Sequence, residues 1–482
     1  MSDLLDNVVA AAGLTVFGAA PSAEPAPRLT LPGPELAGRI EALRGNLHAR
    51  GLDHVVLLAT GAPAAAARAI AATLGLRLAV LDDSDPHRVS AALAHPDRTV
   101  VVLAAETADR LDDHLRVFPA PQVVVTAPGS PLAALGRSWG AELFLTDASP
   151  LSALSEYSLV APGLAGAGTA ELLDEAAALL APANPPAAPA IAAGFSLAPL
   201  TRPAAEIAGA PHAPDAPGAA LGAAIAAAAR SGRDKLAVAP DGTGIDGLGE
   251  WIDAVFAGVV PVALENPSSW GHEGPDVLSV TVGGALGRAI MPGGGIASDL
   301  SVNGPLGAQL LAWEQAARML GAPVAESGVS LGGSDIPPET PALVDGSIEV
   351  YGETSASSLI GAIDALVRGV PEGGYVAIAA YLDRDGDAAA AAVRDALAGR
   401  VARAVTFGWG GRPARPGLGA VLQLTGAVTG DVPVPGRPYT FGGLQAARAA
   451  ADRRAGRRLP TLRLHLTDRA TGTDQLLAAL GG

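Results

Sequence analysis

Between residues 34 and 162, short unbroken runs of valine and leucine alternate with stretches of helical character, and no other feature constrains the fold as much. The order is helix GPELAGRIEALRGNLHARG, strand HVVLLA, helix AAAARAIAATLG, strand LRLAVLD, helix DPHRVSAALAHP and strand RTVVVLAA. Helix TADRLDDHLRVF, strand PQVVVTA, helix SPLAALGRSWG and strand AELFLTD follow. A strand that is apolar at consecutive positions is buried on both faces, and a parallel sheet covered by helices provides that burial. A first domain spanning 34–182 is therefore expected to be doubly wound.

At 482 residues the chain exceeds one ordinary core. Residues 183–217 concentrate proline and alanine without a sustained period, as a connector does. A second α/β domain, 218–342, runs through strands KLAVAP, VVPVAL and DVLSVTVG to the helix GPLGAQLLAWEQAARMLG. A C-terminal α/β portion, 343–482, is expected to pack on the second domain. Residues 1–33 read as an N-terminal helix leading into an arm.

The balance of 32 basic against 48 acidic residues gives a net charge of -16, which repels polyanions and argues against nucleic-acid partners. The chain has no cysteine, so disulfides, thiolate metal sites and cysteine nucleophiles are excluded together. Asp3 and Asp6 stand where a secretory signal carries positive charge, and no run of about 18 apolar residues is free of proline and charge. A cytoplasmic protein without a membrane span is the expectation.

A phosphate-binding turn after the first strand needs glycines and added donors. The turn here, ATGAPAAAA, keeps Gly61 and little else. Asp82, Asp83 and Asp85 in LDDSDP have the oxygen chemistry of a hard-metal cluster. Ser84 or Asp85 before Pro86 also suits a helix N-cap, and that reading is preferred. The eight histidines show no metal-ligand spacing, so no metal and no cofactor is expected. The glycine run at 291–304 lacks nucleotide-loop spacing and reads as a loop over the cleft.

Collinear segments from about residue 40 onward resemble the glucose-6-phosphate isomerase family, in the form found as the C-terminal half of bacterial transaldolase/isomerase fusions. They include LAVLDDSDPHRV, TAPGSPLAALGRSWG, SALSEYSLVAPGLAG, YVAIAAYL, VTFGWGGR and VPVPGRPYTFGGLQAARAAADRRA. The resemblance implies two doubly wound sugar-isomerase (SIS) type domains plus the C-terminal portion. It also implies an active site in the cleft between the domains and a dimer partner.

The same resemblance marks what is missing. Pro63 and Ala64 stand where two serines would hold the sugar phosphate, and Glu106 and Asp109 fall in the second phosphate loop. Pro150 occupies the position of the family's arginine, and Gly258 that of its glutamate base. The segment Gly410–Gly419 has lost its histidine and lysine. Substrate-binding candidates are Gly61, Arg412 and Arg415, and Glu314 is the surviving carboxylate on a helix expected to face the cleft. A non-catalytic homologue, alone as a homodimer or in a hetero-complex with a sugar-phosphate enzyme, is the leading expectation. An active isomerase with a rebuilt site and a sugar-phosphate sensor are the alternatives.

Overall fold

The computed structural model describes residues 15–17, 29–109, 111–149, 152–180, 217–240, 247–256, 261–264, 276–283, 299–320, 339–401, 403–410, 419–455 and 459–481. Among these the chain forms three mainly parallel sheets with helices packed on them. The first strand in chain order, β1 (Thr15–Phe17), belongs to the second sheet. Then come β2 (His54–Leu58), β3 (Leu78–Leu81), β4 (Thr99–Ala104), β5 (Val123–Thr126) and β6 (Glu142–Leu145), in the spatial order β3-β2-β4-β5-β6 and all parallel. Every residue of β4 and β5 is buried, as the unbroken valine runs require.

The second sheet contains β7 (Lys235–Pro240), β8 (Val262–Leu264), β9 (Val277–Gly283) and β10 (Leu300–Asn303), ordered β1-β10-β9-β7-β8. Residues 15–17, expected within a helix and arm, instead add an antiparallel edge strand, with Val16 opposite Val302. The third sheet has β11 (Leu343–Asp345), β12 (Ile348–Tyr351), β13 (Tyr375–Tyr381), β14 (Val405–Trp409), β15 (Gly419–Gly426) and β16 (Thr461–Leu466), ordered β11-β12-β16-β15-β13-β14.

All three units are wound alike. In each, the first parallel strand is central, the second lies to one side, and the third and fourth lie to the other. The winding therefore reverses between β2 and β4, between β7 and β9, and between β13 and β15. The carboxyl ends of the strands flanking such a reversal open a crevice where α/β sheets place ligands.

The helix Leu306–Met319 joins the first two units and is buried at twelve positions, including Gln309, Glu314 and Gln315. Small residues let it approach its neighbours closely: a Cβ on Gly222 would lie 3.1 Å from the Ala316 Cα. The third unit, expected to pack on the second domain, touches both others. Tyr375, Ala377, Ala379 and Tyr381 pack with Ala237 and Val277 of the second unit, while Val434 and Phe441 enter a cluster with Leu81, Val89, Leu111 and Phe118 of the first.

Candidate functional site

The crevice of the first unit lies between the loops that follow β2 and β4. Leu58 pairs in register with Leu103, so Gly61 and Glu106, three residues beyond each, emerge at the same edge. Gly61 sits at φ +66 and ψ -136, a conformation that glycine adopts readily and residues with a Cβ rarely do, and it precedes the helix Ala62–Thr73. No side chain caps that helix, and Pro63 removes one backbone donor from its first turn. Pro63 and Ala64 to Ala67 are buried. The helix packs against Leu248–Phe256 of the second unit, where a Cβ on Gly247 would lie 2.6 Å from the Ala69 carbonyl oxygen. Its first turn offers neither hydroxyl nor cation.

The loop after β4 is longer than the sequence suggested, because the next helix is only Asp112–Val117. Glu106 and Asp109 on it are exposed. Further along the edge, the Thr126 and Ser130 hydroxyls lie 3.0 Å apart, and Ser130 caps the helix Pro131–Trp139 through Ala133 N at 3.0 Å. The Thr146 hydroxyl donates to Glu156 Oε2 at 2.7 Å. Tyr157, on the helix Glu156–Ala165, is 1% exposed, and its hydroxyl lies beside that of Thr126. Burial, reinforced by the negative charge of Glu106 and partly offset by the nearby Thr126 hydroxyl, pushes the Tyr157 hydroxyl up to about 12. A tyrosine beside a glutamate in SEYSL was its only trace in the sequence.

Glu314 is neither an exposed carboxylate nor a free one. It is 2% exposed, and its Oε2 accepts from the Ser152 hydroxyl at 3.0 Å and the Ala153 amide at 3.2 Å. Arg318 Nη2 donates to its Oε1 at 2.8 Å. Burial raises its pKa, and the Arg318 guanidinium opposes that rise. Of the other candidates, Pro150, Gly258, Arg412 and Arg415 lie outside the described residues.

The three aspartates of LDDSDP are taken up by protein donors. Asp82 pairs with Arg68 at 2.8 Å and Asp83 with Arg88 at 2.5 Å. Asp85 is the N-cap of the helix Pro86–Ala92, accepting from His87 N at 2.9 Å and Arg88 N at 3.2 Å, and its other oxygen accepts from Gln445 Nε2 at 3.0 Å. Asp85, His87 and Asp383 do converge. However, the Asp85 carboxylate is already saturated, and Arg469 stands 3.5 Å from it, so the group does not suit a cation. The sequence did not reveal the junction of the three units, where Glu250 Oε2 accepts from Arg68 Nε at 3.1 Å and from Arg384 Nη1 at 2.8 Å.

No family model and no curated protein matches the chain. Among solved structures it is similar to a hypothetical protein, TT0462, from Thermus thermophilus, at 16% identity over 60% of this chain and 83% of that one, with a TM-score of 0.42. It is similar to a glucose-6-phosphate isomerase from Chlamydia trachomatis at 14% identity, over 60% of this chain and 68% of the other, with a TM-score of 0.41. A putative phosphosugar isomerase from Silicibacter pomeroyi is 16% identical over 60% of this chain and 94% of its own, with a TM-score of 0.33.

Proposed function

We propose that the chain is a non-catalytic relative of glucose-6-phosphate isomerase, with a structural or regulatory role in sugar-phosphate metabolism. Moving a proton between adjacent carbons of a sugar phosphate needs a carboxylate free to take it, a cation for the enediolate, and donors for the phosphate. The observation that carries the proposal is the state of Glu314. This carboxylate, the one that the sequence left as a candidate base, bonds to Ser152, Ala153 and Arg318 and braces one unit against the next.

The turn at Gly61 supports the same reading. Alanines and a proline form the first turn of its helix, and Glu106 and Asp109 on the adjacent loop repel a dianion. A thermal-shift titration with glucose 6-phosphate and fructose 6-phosphate tests the proposal, since a ligand bound to the native state raises Tm. No rise at millimolar sugar phosphate is expected. A rise that saturates at micromolar concentration would overturn the structural role in favour of a sugar-phosphate sensor, and turnover beside it would overturn the non-catalytic reading.

A further inference from the structure

We propose that the contact between the first and third units is an acid-sensitive latch, in which a proton on His114 releases the third unit from the first while both stay folded. The interface that holds it is of mixed character. Val434 and Phe441 of the third unit bury themselves among Leu81, Val89, Leu111 and Phe118 of the first. His114, on the first unit's helix Asp112–Val117, is 1% exposed and packs T-shaped on the Phe441 ring, with the ring centroids 5.0 Å apart.

The surroundings of His114 fix where it takes a proton. Its Nε2 lies 2.8 Å from the Asp83 carbonyl oxygen, which only accepts, so Nε2 carries the hydrogen and Nδ1 is the atom that titrates. Nδ1 is buried and has no hydrogen-bond partner among the described residues. A proton there is a charged donor without an acceptor, under Phe441 and near the Arg448 guanidinium of the third unit. Asp83 and Asp113 on its own unit favour the charge, but burial outweighs them and lowers the pKa to about 4. Lifting Phe441 and Arg448 away lets water solvate the imidazolium. The proton therefore binds the released state more tightly and draws the equilibrium towards it.

Most of the interface is polarised in the sense that this requires. Arg437 Nη2 donates to Asp112 at 2.7 Å, the Tyr439 hydroxyl to Asp113 at 3.0 Å, Gln445 to Asp85 at 3.0 Å and Arg448 to the Ser84 hydroxyl at 3.0 Å, while Arg469 stands 3.5 Å from Asp85. A new positive charge on the first unit thus meets a face that carries Arg437, Arg448 and Arg469. Two contacts run the other way, His87 Nε2 with the Thr429 carbonyl at 2.8 Å and Arg88 with the exposed Asp385 at 3.9 Å. Asp85 also opposes release, because burial raises its pKa and its proton favours the docked state. At pH 5.5 ordinary exposed carboxylates are still ionised, which leaves His114 as the group that drives the change.

The test is hydrogen exchange read by mass spectrometry on the full chain at micromolar concentration, at pH 7.5 and 5.5 and corrected for the intrinsic rate at each. Exchange in the helices Asp112–Val117 and Phe441–Ala455 is expected to quicken about tenfold at pH 5.5, the ratio for a group moving between 6.5 and about 4, while β4 and β13 keep their protection. His114→Gln keeps a donor for the Asp83 carbonyl and does not titrate, so its two profiles should coincide. Unchanged protection in the unaltered chain, an equal loss in β4 and β13, or the same acceleration in His114→Gln would overturn the proposal.

Discussion

Glu314→Ala strands the buried Ser152 hydroxyl and the Ala153 amide, and leaves the exposed Arg318 guanidinium to solvent. Unsatisfied buried groups cost about 1 to 3 kcal/mol each, so a loss of at least that size in urea denaturation is expected. A loss under about 0.5 kcal/mol would mean that Glu314 does not brace the units. His114 supplies a prediction in pH. It is 1% exposed, its Nε2 donates to the Asp83 carbonyl at 2.8 Å, and burial lowers its pKa to about 4. Between the ordinary histidine value of 6.5 and about 4 the unfolded chain holds a proton that the folded chain refuses, so this residue removes stability as pH falls through that window. The contribution is about 3 kcal/mol. His114→Gln keeps a donor for the Asp83 carbonyl and should flatten the stability difference between pH 7 and 4 by about that amount.

The helix Ala62–Thr73 packs closely on Gly247 of the second unit. Gly247→Ala would drive a methyl into the Ala69 backbone, and overpacking of this kind costs about 1 to 3 kcal/mol, readable as a lower urea midpoint with unchanged slope. Much of this level was legible in the sequence. The valine runs of β4 and β5 marked buried parallel strands, and Asp85 before Pro86 marked the cap of its helix because the chemistry of both is local. Strand β1 was not legible: Thr15–Phe17 becomes a strand only by pairing with β10, almost 300 positions away. The burial of Glu314 was hidden for the same reason, since a helix covered on every side has no polar face for a period to reveal.

Glu250 couples the three units, and its acid sensitivity belongs to the whole molecule. The Arg384 and Arg68 guanidiniums outweigh burial and hold its pKa down to about 2. Its stabilising effect is present above the ordinary glutamate value of 4.5 and is lost as pH falls towards about 2. Glu250→Gln should therefore lower stability at neutral pH and narrow the gap to wild type near pH 2, as followed by circular dichroism. A homodimer or hetero-complex burying more than roughly 1,200 Å² is expected, and light scattering that gives a monomer with and without cell extract would count against it. The most direct test of the central claim is turnover. In a dehydrogenase-coupled assay with millimolar fructose 6-phosphate, the purified chain is expected to form no glucose 6-phosphate above the blank. Turnover of about 1 per second or faster, the low end of ordinary enzymes, that is abolished by Glu314→Gln would contradict the account.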